Sequence, residues 1–421
     1  MMGGTVSRPA PLLEGLRRRP GAFGVSSGGM SDDTVEEGLT EGAEDAGAAR
    51  HLSRDAVRLE QLRQAAASAG ADAVVVTPGA TLRWLLGHHF EGHERLFLLV
   101  VPTADDPVAI VPALEEANFR GAAPAVESVH LWDDADGPEK AAAAAFKDLG
   151  KASRVAVEPL SLRYMEVQHL SRELPKAKLE SAESIVSELR LRKSDEEAKA
   201  IQQASKIAEA ALEFTLRDVK PGRTEREIAA KLSSELLRRG GGGISFGPIV
   251  LSGPKSALPH GVPDERKMEE GELLLIDFGT SFDGYHCDIT RTFVVSGSPT
   301  DRMREVYEAV LQANIRGVAA SRPGVTYDYV HKNCQANLRA ARFKEFMTHR
   351  TGHGLGLEIH EPPSVMAGNT DVVEEGAVFT IEPGLYLEGW GGVRIEDNVR
   401  VTAEGCELLT SSPRELRILG A

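Results

Sequence analysis

Four carboxylates and one histidine in the C-terminal half of this 421-residue sequence have the types and settings of a metal site. The histidine, His353, lies in the segment TGHGLGLEIHEPP at residues 351–363, among small and apolar residues. The acids are Asp277, Asp288, Glu382 and Glu396. A ligand set of one nitrogen and many oxygens suits manganese, cobalt or iron better than a thiolate-rich structural zinc site does.

Each pair of acids flanks a turn signal. The first two lie on either side of Asp283-Gly284, a dipeptide that is typical of a two-residue hairpin turn. The last two flank the glycine-rich stretch at residues 388–392. Folding back at these turns brings the carboxylates together, and like charges at such distances repel unless cations lie between them. The five side chains could therefore hold two cations roughly 3.5–4 Å apart, with a bridging water of lowered pKa.

The C-terminal half also contains an internal repeat. The tetrapeptide PGRT at residues 221–224 recurs as PGVT at residues 323–326, and each precedes a helix-like stretch. The tripeptide EEG at residues 269–271 recurs at residues 374–376, each time shortly before the first acid of a pair. These matches in the same order predict two α+β halves related by pseudo-symmetry, each supplying a two-carboxylate hairpin to one shared site.

The N-terminal half has a different pattern. Residues 53–185 alternate helical and strand-like segments, which predicts a smaller α/β domain. Ser194 and Glu197 form a capping box, which predicts the start of a long helix that bridges the two domains. Residues 1–52 are rich in Gly, Ser, Ala and acids and poor in large apolar side chains, so we expect them to be disordered.

Composition narrows the classes of partner. A net charge of −15 argues against a general binder of nucleic acid or of acidic membranes. No run of about 18 apolar residues occurs, which argues against a transmembrane helix. The three widely spaced cysteines are typical of reduced thiols rather than of a disulfide framework, so we expect a cytoplasmic protein.

Four further side chains near the acids have roles that spacing alone leaves open. His260, His349 and His360 are either structural or exposed histidines, or imidazoles that contact a substrate carbonyl and its oxyanion. Arg394, two positions before an acid on an alternating strand, could orient a ligand carboxylate or bind a substrate carboxylate. A structural salt bridge is the alternative for Arg394.

Five motifs, taken in order, resemble those of the pita-bread metallopeptidases, above all the proline-specific branch of Xaa-Pro dipeptidases (prolidases) and Xaa-Pro aminopeptidases. The motifs are ALPHGVP, IDFG with DGYHCDITRTF, HRTGHGLGLEIHE, TIEPG and GVRIEDN. The resemblance implies an α+β pita-bread catalytic domain with pseudo-twofold symmetry at residues 189–421. It also implies a smaller α/β creatinase-like N-terminal domain at residues 53–188, after the extension at residues 1–52.

The resemblance also implies a role for each metal ligand. Asp277 and Asp288 would bind one ion, and Asp288 would bridge to the other. His353 and Glu382 would complete the second ion's ligands, and Glu396 would bridge the two ions.

Other residues would take part in catalysis and in substrate binding. Glu382 would also shuttle a proton, and His260 and His360 would contact the substrate and its tetrahedral intermediate. His349 and Arg394 match positions close to the substrate.

The implied function is a dinuclear metal-dependent exopeptidase that hydrolyses the bond between an N-terminal residue and proline through a metal-bridging hydroxide. Manganese is the expected ion, with cobalt, zinc and iron as alternatives, and a homodimer is expected. The alternatives are a family member with another N-terminal specificity and a non-catalytic pita-bread binding protein. The choice between dipeptidase and aminopeptidase stays open. The candidates for deciding it are Arg394 and the loop at residues 88–95, from the same subunit or from a neighbouring one.

Overall fold

The structure is a computed structural model that describes residues 53–147, 149, 151–340 and 343–420. The extension at residues 1–52, expected to be disordered, lies outside the described residues. Within the described ranges, no helix combines the length and the apolar character needed to cross a membrane.

The N-terminal lobe alternates helices and strands, as the sequence predicts. Its elements are α1 (Arg54–Ser68), β1 (Ala73–Val76), α2 (Ala80–Leu86), β2 (Leu98–Pro102), β3 (Val108–Pro112), α3 (Glu116–Ala122), β4 (Ser128–Trp132), α4 (Glu139–Phe146), β5 (Arg154–Val157), α5 (Tyr164–Glu173), β6 (Lys178–Ser181) and α6 (Glu183–Leu191). The strands form one mixed sheet in the order β4-β3-β2-β1-β5-β6. Along β1, Val74 and Val76 pack in the core on one face, and Ala73 and Val75 pack in the core on the other. A sheet buried on both faces is what an α/β domain requires.

The C-terminal lobe contains the predicted repeat. Its elements are α7 (Asp195–Leu216), α8 (Glu225–Arg238), β7 (Gly243–Ile244), β8 (Ile249–Ser252), β9 (Glu272–Phe278), β10 (Thr280–Phe282), β11 (Tyr285–His286), β12 (Ile289–Val295), α9 (Asp301–Ala320), α10 (Tyr327–Ala340), β13 (Gly352–Gly354), β14 (Glu361–Val365), β15 (Val378–Ile381), β16 (Gly384–Leu387), β17 (Gly391–Arg394), β18 (Asp397–Val401), β19 (Cys406–Leu408) and β20 (Ile418–Leu419). The pair α7 and α8 precedes the sheet β20-β12-β9-β8, and the pair α9 and α10 precedes the sheet β14-β13-β15-β18-β19. Short 3-10 helices lie at Ala113–Glu115, Gly253–Ala257 and Lys344–Phe346.

The repeated glycines adopt matching backbone conformations. Gly222 and Gly324, in the two PG turns, have φ angles of 88° and 81°. Gly271 and Gly376, which end the two EEG motifs, have φ angles of 80° and 83°. Residues with a Cβ rarely adopt this left-handed region, so the same turn chemistry occurs at the same place in each half. The pseudo-twofold symmetry predicted for the catalytic domain is therefore confirmed.

The acids lie on two antiparallel hairpin systems. Strand β9 pairs with β12 so that Asp277 lies opposite Thr290, and the chain between them turns at Asp283 and Gly284. Both turn residues have positive φ, 49° and 81°, as a type I′ hairpin turn requires. In the second half β15 pairs with β18, and the hairpin of β16 and β17 joins them.

The long helix α7 connects the lobes through a buried acid. Its predicted capping box is present, because Ser194 Oγ accepts from the Glu197 amide at 3.3 Å and Glu197 Oε2 accepts from the Ser194 amide at 2.8 Å. The other carboxylate oxygen of Glu197 binds Arg58 of α1 at 2.7 Å and the Tyr285 hydroxyl at 2.6 Å. Glu197, on the first helix of the C-terminal lobe, therefore binds the first helix of the N-terminal lobe and joins the two lobes.

Arg291 of β12 ties the second hairpin system to the first. Its side chain is 1% exposed, and it binds Asp397 at 2.7 Å. The same guanidinium donates to the carbonyls of Thr290 (2.9 Å) and Glu396. It also donates to the carbonyl of Ser412, at 2.8 Å, and so holds the C-terminal segment against the hairpins.

Replacing Arg291 with methionine is expected to destabilise the protein by about 3–5 kcal/mol, because the buried Asp397 loses its main cation and several carbonyls lose their donor. Urea unfolding followed by circular dichroism measures this loss. The matched control is Arg120→Met, which removes an i,i+4 pair with Glu116 on the surface of α3. That control should cost less than about 1 kcal/mol. Equal losses for the two variants would contradict the role given to the buried cluster.

Candidate metal centre

The five predicted ligands converge at the ends of strands from both halves. Asp288, His353 and Glu396 each offer one ligand atom, and these atoms lie within 4.8 Å of one another. His353 Nε2 lies 3.6 Å from Asp288 Oδ2 and 3.5 Å from Glu382 Oε1. Asp277 lies in the wall of the same pocket. The spacing of acids in sequence thus translates into one cluster, because each antiparallel hairpin returns its second acid to the level of its first.

Two buried asparagines hold the backbone that carries the acids. Asn398 of β18 accepts from the Asp288 amide at 3.1 Å and donates to the Asp288 carbonyl, which joins the first half to the second. Asn314 of α9 donates to the carbonyls of Ile381 (3.0 Å) and Ile395 (3.4 Å). Each of these carbonyls precedes an acid, so Asn314 fixes the relative positions of the two glutamates in the second half.

The carboxylates are buried and repel one another. Exposure is 8% for Asp277, 5% for Asp288 and 2% for Glu396. Burial, followed by the charges of neighbouring acids, raises the pKa of Asp288 and of Glu396 well above the ordinary range. Burial also raises the pKa of Glu382, to about 7. Without a compensating positive charge, this cluster holds its protons at pH values where an exposed acid is ionised.

His353 presents an unprotonated nitrogen to the acids. Its Nδ1 lies 3.0 Å from the Gly354 carbonyl, which can only accept, so Nδ1 carries the proton. Burial lowers the pKa of His353 to about 3, so the ring stays neutral. Nε2 therefore points its lone pair at the carboxylates, which is the arrangement of a histidine metal ligand whose orientation is fixed by its other ring nitrogen.

Two carboxylate oxygens without hydrogen-bond partners also indicate a metal site. Asp277 Oδ1 and Asp288 Oδ1 are buried and have no hydrogen-bond partner. A buried polar atom without a partner is costly, and most such atoms in native proteins have an explanation such as an ion. Lone pairs from four carboxylates and one imidazole that face each other fit divalent cations with oxygen and nitrogen preference.

The acids form the floor of a pocket of about 560 Å³. Its lining residues are Phe246, Ile249, Pro259, His260, Asp277, Asp288, His349, Arg350, His353, Ile359, His360, Glu382, Arg394 and Glu396. Every site residue predicted from the sequence is among them. His360 packs edge-on against His353 with ring centroids 4.3 Å apart, whereas His260 is an exposed residue of the loop after Gly253–Ala257.

All three guanidinium nitrogens of Arg394 bind other groups of the protein. Nη2 pairs with Asp277, Nε donates to Thr290 Oγ1 at 3.0 Å, and Nη1 donates to the Tyr386 hydroxyl at 2.6 Å. With 3% exposure it has little surface for a substrate carboxylate. Of the alternatives raised by the sequence, this geometry favours a guanidinium that orients a ligand carboxylate.

Sequence reasoning missed two residues of the pocket region. Tyr386 lies between Arg394 and His349, whose Nε2 is 2.8 Å from its hydroxyl. Since His349 Nδ1 faces the Arg350 carbonyl at 2.7 Å and so donates to it, Nε2 accepts the tyrosine proton. Arg350 was the second omission, although its place next to His349 in the HRTGHG motif was a usable signal. The loop at residues 88–95, by contrast, contributes no residue to this pocket.

Comparisons with known proteins agree with the fold. The model of metallopeptidase family M24 matches residues 199–403, and the creatinase/prolidase N-terminal domain matches residues 58–192. A Xaa-Pro dipeptidase from Lactobacillus helveticus is 33% identical over 365 residues, which cover 86% of this chain and 99% of that protein.

Solved structures of peptidases have a similar fold. The dipeptidase PepE from Mycobacterium ulcerans superposes with a TM-score of 0.80 at 34% identity, over 87% of this chain and 98% of its own. The X-Pro aminopeptidase from Thermotoga maritima has a TM-score of 0.74 at 29% identity, over 85% of this chain and 100% of its own. With its creatinase-like N-terminal domain and pita-bread catalytic domain, this chain belongs to metallopeptidase family M24 and is a metallopeptidase.

Proposed function

We propose that this metallopeptidase is a Xaa-Pro dipeptidase that works with two divalent cations held by Asp277, Asp288, His353, Glu382 and Glu396. The observation that carries the proposal is the buried cluster of carboxylates around an unprotonated histidine nitrogen, at the floor of a pocket. Asp288 and Glu396 would serve both cations, and their ligand atoms and that of His353 lie within 4.8 Å of one another. The names of the dipeptidase relatives support the choice of substrate.

When bound, the two cations would balance the carboxylate charge, polarise the scissile carbonyl and supply the attacking hydroxide from water of lowered pKa. Glu382 accepts the proton that this water loses and passes it to the proline nitrogen as the C–N bond breaks. Glu382 Oε1 lies 3.5 Å from His353 Nε2, within the ligand set, so its carboxylate is placed for both steps.

The histidines of the pocket wall act on the substrate carbonyl. His260 and His360 lie in the wall of the pocket that has the acids at its floor, so each can donate to the oxygen that becomes negative during the attack. His349 is held through the Tyr386 hydroxyl, which also accepts from Arg394. The three side chains form a hydrogen-bonded unit that keeps Asp277 oriented.

Arg350 is our candidate for recognition of the substrate's carboxylate. It is half-buried in the pocket wall, and its Nη1 donates to Ser364 Oγ at 3.0 Å. No carboxylate in the described part of the chain pairs with it. A guanidinium without an internal carboxylate partner can bind the free carboxylate of a dipeptide, and this would make the enzyme a dipeptidase. Manganese as the ion and a homodimer as the assembly stay predictions.

Turnover with manganese should distinguish a dipeptidase from an aminopeptidase. We expect the protein to cleave a Xaa-Pro dipeptide and to cleave the matched Xaa-Pro amide with a kcat/KM about tenfold or more lower, because the amide lacks only the negative charge. A Xaa-Pro-Xaa tripeptide should be a poor substrate because its carboxylate lies one residue farther from the scissile bond. Efficient cleavage of the tripeptide would instead indicate an aminopeptidase, and no cleavage of any of them would indicate another N-terminal specificity.

Replacing Arg350 with glutamine should raise the KM for the Xaa-Pro dipeptide by roughly 10- to 100-fold, since a charge-assisted hydrogen bond is lost. The KM for the Xaa-Pro amide should change little, because that substrate never used the charge. Arg350→Lys, which keeps a cation, is the control and should retain part of the affinity. A loss that is the same for dipeptide and amide would show that Arg350 does not bind the carboxylate.

Asp288→Asn separates metal binding from stability. The variant should lose bound metal, measured by elemental mass spectrometry. After chelation it should unfold at the same or a higher urea concentration than chelated wild type, since one of several repelling acids is gone. Asp283→Asn, in the exposed hairpin turn, is the control that should change neither quantity. If the chelated Asp288→Asn protein were the less stable of the two, the repulsion inferred for the cluster would be wrong.

A further inference from the structure

His360 reaches the catalytic pocket without a side-chain anchor of its own. It is an exposed residue, and its imidazole makes no hydrogen bond to any described residue; its contact is the edge-on packing against His353. The direction of its side chain is therefore set by its backbone. Its next neighbour in the chain, Glu361, begins β14 and is only 7% exposed.

Glu361 is held by one cation of the N-terminal lobe and by a second from the segment that joins the lobes. Arg190, in α6 of the N-terminal lobe, pairs with Glu361 Oε1, and Lys193, between α6 and α7, binds Oε2 at 3.1 Å. Arg190 is 9% exposed and Lys193 is 5% exposed. Burial alone would raise the pKa of Glu361, but Lys193 and Arg190 overcome it and hold the pKa at about 2. The acid is therefore ionised in the folded enzyme.

The loop around His360 is packed against this carboxylate. Glu361 Oε1 accepts from the Glu358 amide at 3.0 Å. A Cβ placed on Gly356 would lie 2.9 Å from both carboxylate oxygens of Glu361, so the backbone passes directly against the ion cluster. Arg190 also binds Glu358 at 2.8 Å, which fixes the loop on the side that precedes His360.

We propose that Glu361, clamped by Arg190 and Lys193, is a positioning residue that directs His360 into the catalytic pocket, so that the N-terminal lobe sets the geometry of a substrate-contacting histidine. Three buried charges lose much hydration, and apolar residues would fill such a site at lower cost. A cluster of this kind next to a catalytic loop is explained if it fixes one conformation. This inference relies on the proposed function in that His360 must contact the substrate.

The alternative is that the cluster only joins the lobes. Glu197 provides a matched control for that alternative, because it also joins the lobes through a buried carboxylate, with 6% exposure, and it lies outside the catalytic pocket. Glu361→Gln and Glu197→Gln each remove one buried charge and keep the side-chain size. Both variants should lose stability, and metal content should stay that of the wild type in both.

Activity should separate the two variants. On a Xaa-Pro dipeptide, Glu361→Gln should lower kcat by roughly 10- to 100-fold with little change in KM, since a catalytic group is displaced while the rest of the pocket stays intact. Glu197→Gln should stay within about twofold of wild type, because sites without shared partners act independently. Equal effects of the two variants on kcat would overturn the proposal.

A double-mutant cycle tests whether Glu361 acts through His360. In a His360→Ala background, adding Glu361→Gln should lower kcat by no more than about twofold. The same loss as in the wild-type background would contradict a role through His360. If Glu361→Gln does not fold, Lys193→Met, which leaves Arg190 in place, should show the same pattern with a smaller loss.

A crystal structure of Glu361→Gln gives a readout that does not depend on turnover. The His353–His360 ring separation should depart from 4.3 Å, whereas it should be kept in Glu197→Gln. An unchanged separation in Glu361→Gln would overturn the positioning role. If the wild-type enzyme fails to cleave Xaa-Pro dipeptides, the proposed function is wrong while this structural comparison still decides the present inference.

Discussion

The fold of the C-terminal lobe has to hold together four buried carboxylates that repel one another. Two unit charges about 4 Å apart interact by roughly 4 kcal/mol at an effective dielectric constant of about 20. Four carboxylates in one buried cluster therefore oppose folding unless protons or cations reduce their charge. Burial, together with the charges of neighbouring acids, raises the pKa values of Asp288, Glu382 and Glu396 and so expresses that cost. Much of the C-terminal lobe can be understood as the frame that keeps these acids together.

The C-terminal lobe combines two pseudo-symmetric hairpin systems with hydrogen bonds that fix their backbones. Each half supplies an antiparallel hairpin system, and matching glycine turns place these systems in the same way. Asn398 and Arg291 bind backbone atoms across the boundary between the halves, and Asn314 binds two carbonyls within the second half. Because these links act on the main chain, the acid side chains keep free lone pairs for a ligand. The ion cluster at Glu361 extends the same strategy to the N-terminal lobe, which holds a histidine loop through its backbone.

Much of this architecture could be predicted from the sequence. The acid pairs, the Asp283-Gly284 turn, the repeated PG and EEG motifs and the capping box at Ser194 depend on local chemistry, so each was visible in the order of residues. The role of Arg394 was not decided, because its engagement by Tyr386 and Thr290 joins separate strands. Arg350 and the cluster of Arg190, Lys193 and Glu361 were missed because their meaning lies in contacts between distant segments. That Arg350 has no carboxylate partner among the described residues can be recognised only in three dimensions.

We infer that the buried carboxylates exist to hold two cations. The most direct measurement is a crystal structure of the manganese-loaded protein with anomalous scattering recorded at the manganese edge. We expect two anomalous peaks roughly 3.5–4 Å apart, enclosed by Asp277, Asp288, His353, Glu382 and Glu396. A single peak, or none at this cluster in a protein that still hydrolyses its substrate, would contradict this inference.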